Sequence, residues 1–273
     1  IGKVCVSTAA TMMAHTSLGT APIIAFGTDE QKEKYLPDLV TGKKIGAFGL
    51  TEPNAGSDAK NTQTTAVLDG DQFIINGQKA FCTNAGVAST IIITAKLIEN
   101  GKDKGISAFI IDSNTPGLTL GKPEKKMGWR GSDTRSVFFE DMVIPKKNIL
   151  GLPSKGFQQF LNTLVGGRIT IGALSLGNAQ GAFQLALNYS KEREAFGKSI
   201  NKFQGVSFKL ADMATSIEAA QHLVYHAAWL KDNNKPVIKE ATMAKLFASE
   251  AAMKICTEAI QIHGGYGYIK EYD

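Results

Sequence analysis

From Ile45 to Ile149 the chain runs as short β-branched and aromatic stretches separated by turn clusters, with no long helical stretch between them. The runs are Gln72 to Asn76, Ser89 to Thr94, Ile106 to Ile111 and Arg135 to Phe139, and Asn76-Gly77 and Asn100-Gly101 are turn signals. A doubly wound parallel sheet needs helices between its strands, so this spacing predicts a β barrel or sandwich instead.

On both sides of this region the period becomes helical. Val4, Val6, Ala9, Met12 and Met13 predict one helix; a second starts at Thr28-Asp29-Glu30, with Thr28 or Asp29 as its cap, and runs towards Gly42. Beyond Gly156, a first helix passes through Phe157, Leu161, Leu164, Leu174, Ala182 and Leu185. Leu210, Met213, Ile217, Ala220 and Val224 form the seam of the next. Ala241, Ala244, Ala248, Ala251, Ile255, Ala259 and Ile262 form the seam of another, after a turn at Asn233 to Pro236. The expected fold is α+β and multidomain. Residues 1–44 are the remainder of a helical domain, 45–152 a central β domain, and 153–273 an incomplete helical bundle. Ile1 follows no methionine and no polar lead-in, so part of the N-terminal domain is expected to lie outside this chain.

Composition narrows the function. Thirty Lys+Arg against 25 Asp+Glu give a net charge of +5, scattered rather than gathered into a stripe, which argues against a nucleic-acid binder. A small anionic ligand such as a phosphorylated cofactor suits that charge. No apolar run approaches the roughly 18 residues of a membrane span. Cys5, Cys82 and Cys256 are odd in number and far apart, which indicates a reducing compartment and no structural zinc site.

Several familiar motifs fail on inspection. Gly197-Lys198-Ser199 resembles the end of a P-loop, but Glu192 stands where its first glycine belongs. No GxGxxG follows a strand, and no GxSxG is present. His222 and His226 lie four apart without a third ligand, and His15 has no partner signal, so no metal is expected. Glu192 and Glu194 sit among Lys191, Arg193 and Lys198 and read as a solvated face.

Three segments differ in kind. Phe48 to Asp58 leaves an apolar strand and concentrates Thr51, Pro53, Asn54, Gly56 and Ser57, which suits phosphate oxygens or a polar ring edge. On composition alone, a capped surface turn explains it equally well. Glu192 to Gly197 breaks a helix with an aromatic and a glycine beside an arginine. Gln261 to Tyr268 ends a helix with Gly264, Gly265 and Gly267; one glycine suffices for a cap, and three admit a ligand closely.

In order and spacing these segments resemble the acyl-CoA dehydrogenase family, from about residue 20 to the end. The matching motifs are GLTEPNAGSD at 49–58, INGQKAFCTN at 75–84, KMGWRGSDT at 126–134, the Glu192-Arg193 and Phe196-Gly197 pairs, and QIHGGYGY at 261–268. FQGVSFKLADM at 203–213 resembles the short-chain, butyryl-CoA-dehydrogenase-like branch. The resemblance implies a helical domain, a β-barrel-like domain and a four-helix bundle, with non-covalent FAD and a homotetramer. It also implies a short-chain acyl-CoA substrate and an electron-transferring flavoprotein as electron acceptor, in a bacterial cytoplasm or, alternatively, a mitochondrial matrix. A non-catalytic acyl-CoA-binding or scaffold member is the alternative reading.

Carried over by residue, Phe48, Gly49, Leu50, Thr51, Glu52, Pro53, Gly56 and Ser57 would line the flavin and its pyrophosphate. Phe81, Cys82 and Thr83 would flank the flavin, with Phe81 where many relatives carry Trp. Arg193, Phe196 and Gln204 would reach the FAD of a neighbouring subunit, as would Gln261, Ile262, His263, Gly264 and Gly265. Ala195 replaces a threonine common in relatives. Ser57, Leu164, Val165, Gly166, Gly167 and Arg168 would meet the acyl-CoA. The family reaction removes hydrogens from both carbons of an α,β bond, a carboxylate base taking the α-proton. In two branches that base precedes the arginine matching Arg168, where this chain has Gly167. In the others it lies beyond the position of Asp273. No catalytic residue is therefore expected within this chain.

Overall fold

The structure, a computed structural model, describes residues 1–272. Backbone contacts divide the chain into two compact units: Ala10–Gly167, and Ile1–Ala9 with Arg168–Asp273.

The helix α1 (Val6–Met13) enters the first unit at Ala10 and continues as a π-helical stretch, Ala14–Thr20, and then as α2 (Ala21–Phe26) and α3 (Asp29–Val40). The expected first helix thus starts at Val6, and Val4 lies exposed in the turn before it. Thr28 caps α3 as expected. Its hydroxyl accepts from Gln31 N–H while the Gln31 side chain accepts from Thr28 N–H, satisfying two amides that the helix leaves free. The π-helical stretch lies against the first strand at Gly19 and Gly46, where a Cβ on Gly19 would fall 2.5 Å from the Gly46 carbonyl carbon. Next to this contact is His15, for which the sequence offered no partner. Gly46 N–H donates to its Nδ1 at 3.0 Å, so the proton sits on Nε2 and is donated to Leu39 O at 3.0 Å.

Eight strands form one mixed sheet: β1 (Ile45–Gly49), β2 (Thr65–Asp69), β3 (Gln72–Thr83), β4 (Ala88–Glu99), β5 (Lys102–Asp112), β6 (Leu118–Leu120), β7 (Thr134–Pro145) and β8 (Ile149–Leu150). The order is β6-β7-β3-β2-β4-β5-β8, with β1 also on β4. β4 is the axis. It pairs antiparallel with β5, and parallel with β1 over Ala88 to Ile93 and with β2 over Lys96 to Ile98. Asn100-Gly101 is the expected hairpin turn, both residues having positive φ (51° and 71°). Asn76-Gly77 is not a turn. Gly77 lies inside β3 with φ 140°, opposite an extra residue in β7, and a Cβ there would meet the Thr64 hydroxyl at 2.6 Å, so this close approach requires glycine. The β2–β3 turn is Gly70-Asp71, between the paired Asp69 and Gln72.

Both faces of the central strands are covered, which explains why Ile91, Ile92 and Ile93 run without alternation. Ile91 and Ile93 join Phe73, Ile75, Phe109, Ile111 and Val137 in one core. Ile92 and Ile110 face the other way, onto Ile23, Leu39 and Phe160. Each fully buried side chain of this size contributes about 1.5–3 kcal/mol.

The long helix α4 (Gly156–Glu192) continues into the second unit, followed by the two-residue strands β9 (Glu194–Ala195) and β10 (Lys198–Ser199), then α5 (Gln204–Asp232) and α6 (Ile238–His263). The predicted α5 seam is buried as expected, and Ala227 extends it. On α6 the buried residue is Ala252, not Ala251, because the step from Ala248 is four residues. Gly172 lets α4 come close to both neighbours: a Cβ there would lie 3.2 Å from a Val224 methyl and 3.4 Å from the Ala244 backbone. Among the described residues no helix is long and apolar enough to cross a membrane.

Candidate functional site

In the first unit, two of the expected segments meet. β1 ends at Gly49, and the chain then closes a tight loop in which Glu52 and Ala55 exchange backbone hydrogen bonds of 3.1 and 3.0 Å. The tip, Pro53 and Asn54, is exposed, as are Gly56 and Ser57, and a Cβ on Gly56 would meet nothing within 4 Å. Phe48 is stacked on Phe160 at 4.2 Å. Against this loop lies the part of β3 that departs from its ladder with β7 between Lys79 and Cys82. Ala80 N–H donates to Thr51 O at 2.7 Å, and the Cys82 thiol donates to Phe48 O at 3.2 Å.

This geometry sorts the expected residues. Phe81 is pushed outward, with φ 56° and 68% exposure, an unusual pose for an aromatic residue. Thr83 is half-buried beside it. Cys82 points inward, and burial pushes its thiol up to about 12, so only its backbone is available to a ligand. Glu52 is also turned inward. Its carboxylate accepts from the Thr62 and Thr64 hydroxyls and from Gln63 N–H at 2.6 Å, and it pairs with Lys79 Nζ at 2.7 Å. Burial alone would raise the Glu52 carboxyl, but the ammonium and the hydroxyls outweigh it and hold the group at about 2.

Sequence reasoning overlooked this buried pair. The available signal was strand parity: counting by two from Phe73 and Ile75 puts Lys79 inward, and a buried lysine demands a partner. A second omission is Asp133. Its carboxylate accepts from Gly86 N–H at 2.7 Å and from Arg135 Nε at 2.8 Å, fixing the turn that follows Thr83.

In the second unit, Arg193 is exposed just after α4, its guanidinium carbon 5.7 Å from the centre of the Tyr266 ring. Arg193, Tyr189, His263, Gly264, Gly265 and Tyr266 line one open groove. His263 is stacked on Tyr189 at 4.4 Å and hydrogen-bonded to Ala259 O at 2.8 Å. Ile262 is buried and offers only its backbone, whereas Gln261 is exposed. Phe196 and Gly197 have φ 53° and 79° and form the tip of the β9–β10 hairpin, with Phe196 96% exposed. Its ring lies 6.1 Å from Phe203, which precedes the exposed Gln204. Glu192 and Glu194 are exposed, as read. His222 pairs with Glu218 at 3.3 Å and His226 stacks on Trp229, the bland roles expected of them.

Leu164, Val165, Gly166, Gly167 and Arg168 are consecutive on α4. All are half-buried except Gly167, which is buried with Leu18 3.4 Å from its Cβ direction. The chemistry on offer is specific. An exposed aromatic face, Phe81, with the Thr83 hydroxyl two residues on suits a flat heteroaromatic ring. An arginine beside Gly264 and Gly265, whose Cβ positions meet nothing within 4 Å, suits a diphosphate. Each unit by itself fits one part of FAD: the first fits its flavin ring, the second its diphosphate.

Comparison with known proteins agrees with this chemistry. Family models described as the acyl-CoA dehydrogenase N-terminal, middle and C-terminal domains match residues 1–43, 47–142 and 154–273. A probable acyl-CoA dehydrogenase of Bacillus subtilis is 54% identical over 273 residues, covering 100% of this chain and 72% of that protein. A short-chain-specific acyl-CoA dehydrogenase of Clostridium acetobutylicum is 50% identical, with the same two coverages. A subunit of the caffeyl-CoA reductase–Etf complex of Acetobacterium woodii is 51% identical over 94% of this chain and 68% of its own. Butyryl-CoA dehydrogenase from Megasphaera elsdenii superposes with a TM-score of 0.96 at 49% identity, over 100% of this chain and 71% of that one. A Bacillus anthracis acyl-CoA dehydrogenase complexed with FAD gives 0.89 at 36% identity, over 98% and 49%.

Proposed function

This chain belongs to the acyl-CoA dehydrogenase family, and from that premise we propose that it dehydrogenates short-chain acyl-CoA thioesters at the α,β bond, with FAD as cofactor. When bound, FAD supplies the acceptor for the hydrogen leaving the β-carbon. The chain's own residues bind and orient. The observation that carries the reading is the junction of the 48–57 loop with the bulge at Phe81, where an exposed ring and a neighbouring hydroxyl, Thr83, are held rigidly by hydrogen bonds from Ala80 and Cys82. Phe81 offers its face to the flavin ring, and Thr83 offers a hydroxyl to the ring edge. The free tip of the loop, Pro53 to Ser57, lies towards the cofactor, with the Ser57 hydroxyl shared with the acyl-CoA. Arg193 pairs, through its planar fork, with the diphosphate of the FAD held by a neighbouring subunit, and the backbone of Gln261 to Gly265 approaches alongside it. Phe196 and Gln204 complete that side. Leu164 to Arg168 meet the acyl-CoA. None of these residues is assigned as the base.

Electron-transferring flavoprotein is the proposed electron acceptor, in keeping with the Etf complex to which the Acetobacterium relative belongs. A homotetramer is proposed from the resemblance alone, and a bacterial cytoplasmic setting from the resemblance together with the bacterial relatives. The substrate class is tested by turnover with saturated acyl-CoAs of increasing length and an artificial electron acceptor. Butyryl-CoA is expected to give the highest kcat/KM and to yield the 2-enoyl thioester. Activity confined to long acyl chains would overturn the short-chain assignment.

A further inference from the structure

The buried pair formed by Glu52 and Lys79 plays no part in the chemistry above, yet it stands between the two segments that the flavin reading uses. Lys79 has no exposed side-chain surface and Glu52 only 4%. A buried ion pair is weak evidence of stabilisation, because the cost of removing both charges from water offsets their attraction. What this pair does is fix geometry. Lys79 Nζ donates to Glu52 at 2.7 Å, to Leu50 O at 3.3 Å, and to the hydroxyls of Thr62 and Thr94 at 3.1 and 3.4 Å. Glu52 gathers the Thr62 and Thr64 hydroxyls and the Gln63 N–H from the next stretch of chain. With Ala80 bonded to Thr51 and Cys82 to Phe48, residues 79, 80 and 82 are all fastened to the 48–52 segment. Phe81 alone is left out, and it is the residue forced to positive φ and outward.

We propose that Glu52 and Lys79 are a positioning pair: they clamp the 48–52 segment against the bulge of β3 and so set the pose of Phe81 and Thr83 towards the flavin. The inference rests on the flavin reading given above. It makes the pair neither a ligand nor a proton carrier, and its effect is on how FAD is held.

The test compares wild-type protein with the double variant Glu52→Gln/Lys79→Met. Both charges are removed at similar volume, while a side-chain carbonyl remains for Thr62 and Thr64. Three quantities are read: the melting temperature without FAD, the FAD dissociation constant, and the visible circular dichroism of bound flavin. The expected result is a melting temperature near wild type, FAD binding weaker by about tenfold or more, equivalent to about 1.4 kcal/mol per tenfold, and an altered flavin dichroism. A pair with only a structural role would lower the melting temperature and leave affinity and dichroism of the folded protein unchanged; that result overturns the proposal. If the double variant does not fold, Thr62→Val takes its place, since it removes one contact from each partner and keeps both charges. Weaker FAD binding with an intact far-ultraviolet spectrum supports the clamp, and wild-type binding contradicts it. Failure of the wild-type protein itself to take up FAD defeats the flavin reading, and the clamp with it.

Discussion

Gly264, Gly265 and Gly267 look alike in the sequence, which admits a ligand beside all three. Their surroundings differ. Gly264 ends α6 at φ 61°, a conformation that side chains rarely adopt. Gly267 is packed: a Cβ there would lie 2.5 Å from the Ile260 carbonyl oxygen. Gly265 has nothing within 4 Å and no unusual φ, so neither packing nor backbone strain demands a glycine there. Gly267→Ala is therefore expected to cost about 1–3 kcal/mol of stability by overpacking. Gly265→Ala should leave stability within about 0.5 kcal/mol of wild type while weakening FAD binding. Thermal melts and FAD titrations of the two variants check this; a Gly265→Ala protein with wild-type FAD affinity would remove the glycine from the site. The same scale holds the main omission. Lys79 could be read as inward from parity, but its partner Glu52 lies 27 positions earlier, and no local pattern links them.

Elements were legible where a period repeats and obscure where pairing depends on distant chain. The seam of α5 followed from the 3-4-3-4 spacing of Leu210, Met213, Ile217 and Ala220, because burial on one helix face needs no knowledge of the partner. The strand runs were likewise found, yet nothing local announces that β1 and β2 share one edge of β4 in parallel. Asn76-Gly77 misled because the same dipeptide chemistry that makes a turn also permits a close approach inside a strand. The hairpin at 194–199 was seen only as a helix break; two consecutive positive φ values at Phe196-Gly197 make it a tight turn that projects an aromatic ring. The helices also carry faces that nothing in the second unit covers. Phe208, Tyr225 and Trp229 on α5, and Leu246, Met253 and Ile260 on α6, are more than half exposed. The four-helix bundle and the homotetramer that the resemblance implies give two covers for them, a further bundle helix and other copies of the chain. Light scattering should report a tetramer, and Tyr225→Glu/Met253→Glu should dissociate it; a wild-type monomer at micromolar concentration would contradict this.

At the scale of the molecule, the succession of helical, β and helical regions was readable from periodicity alone, and the family from motifs in order along the chain. Family-model matches at 1–43, 47–142 and 154–273 follow the same succession. Residues for the proposed cofactor site could be named from the sequence, but not the β3 bulge, the Glu52–Lys79 pair or the glycine environments around them. All of these depend on tertiary contact. The account as a whole claims that these parts hold an FAD able to oxidise a short acyl thioester. The most direct measurement is the visible spectrum of the protein expressed from its complete gene and loaded with FAD, recorded without oxygen while butyryl-CoA is added. The account predicts a protein-bound flavin band that bleaches on addition of the thioester; protein that binds no flavin when FAD is supplied would contradict it.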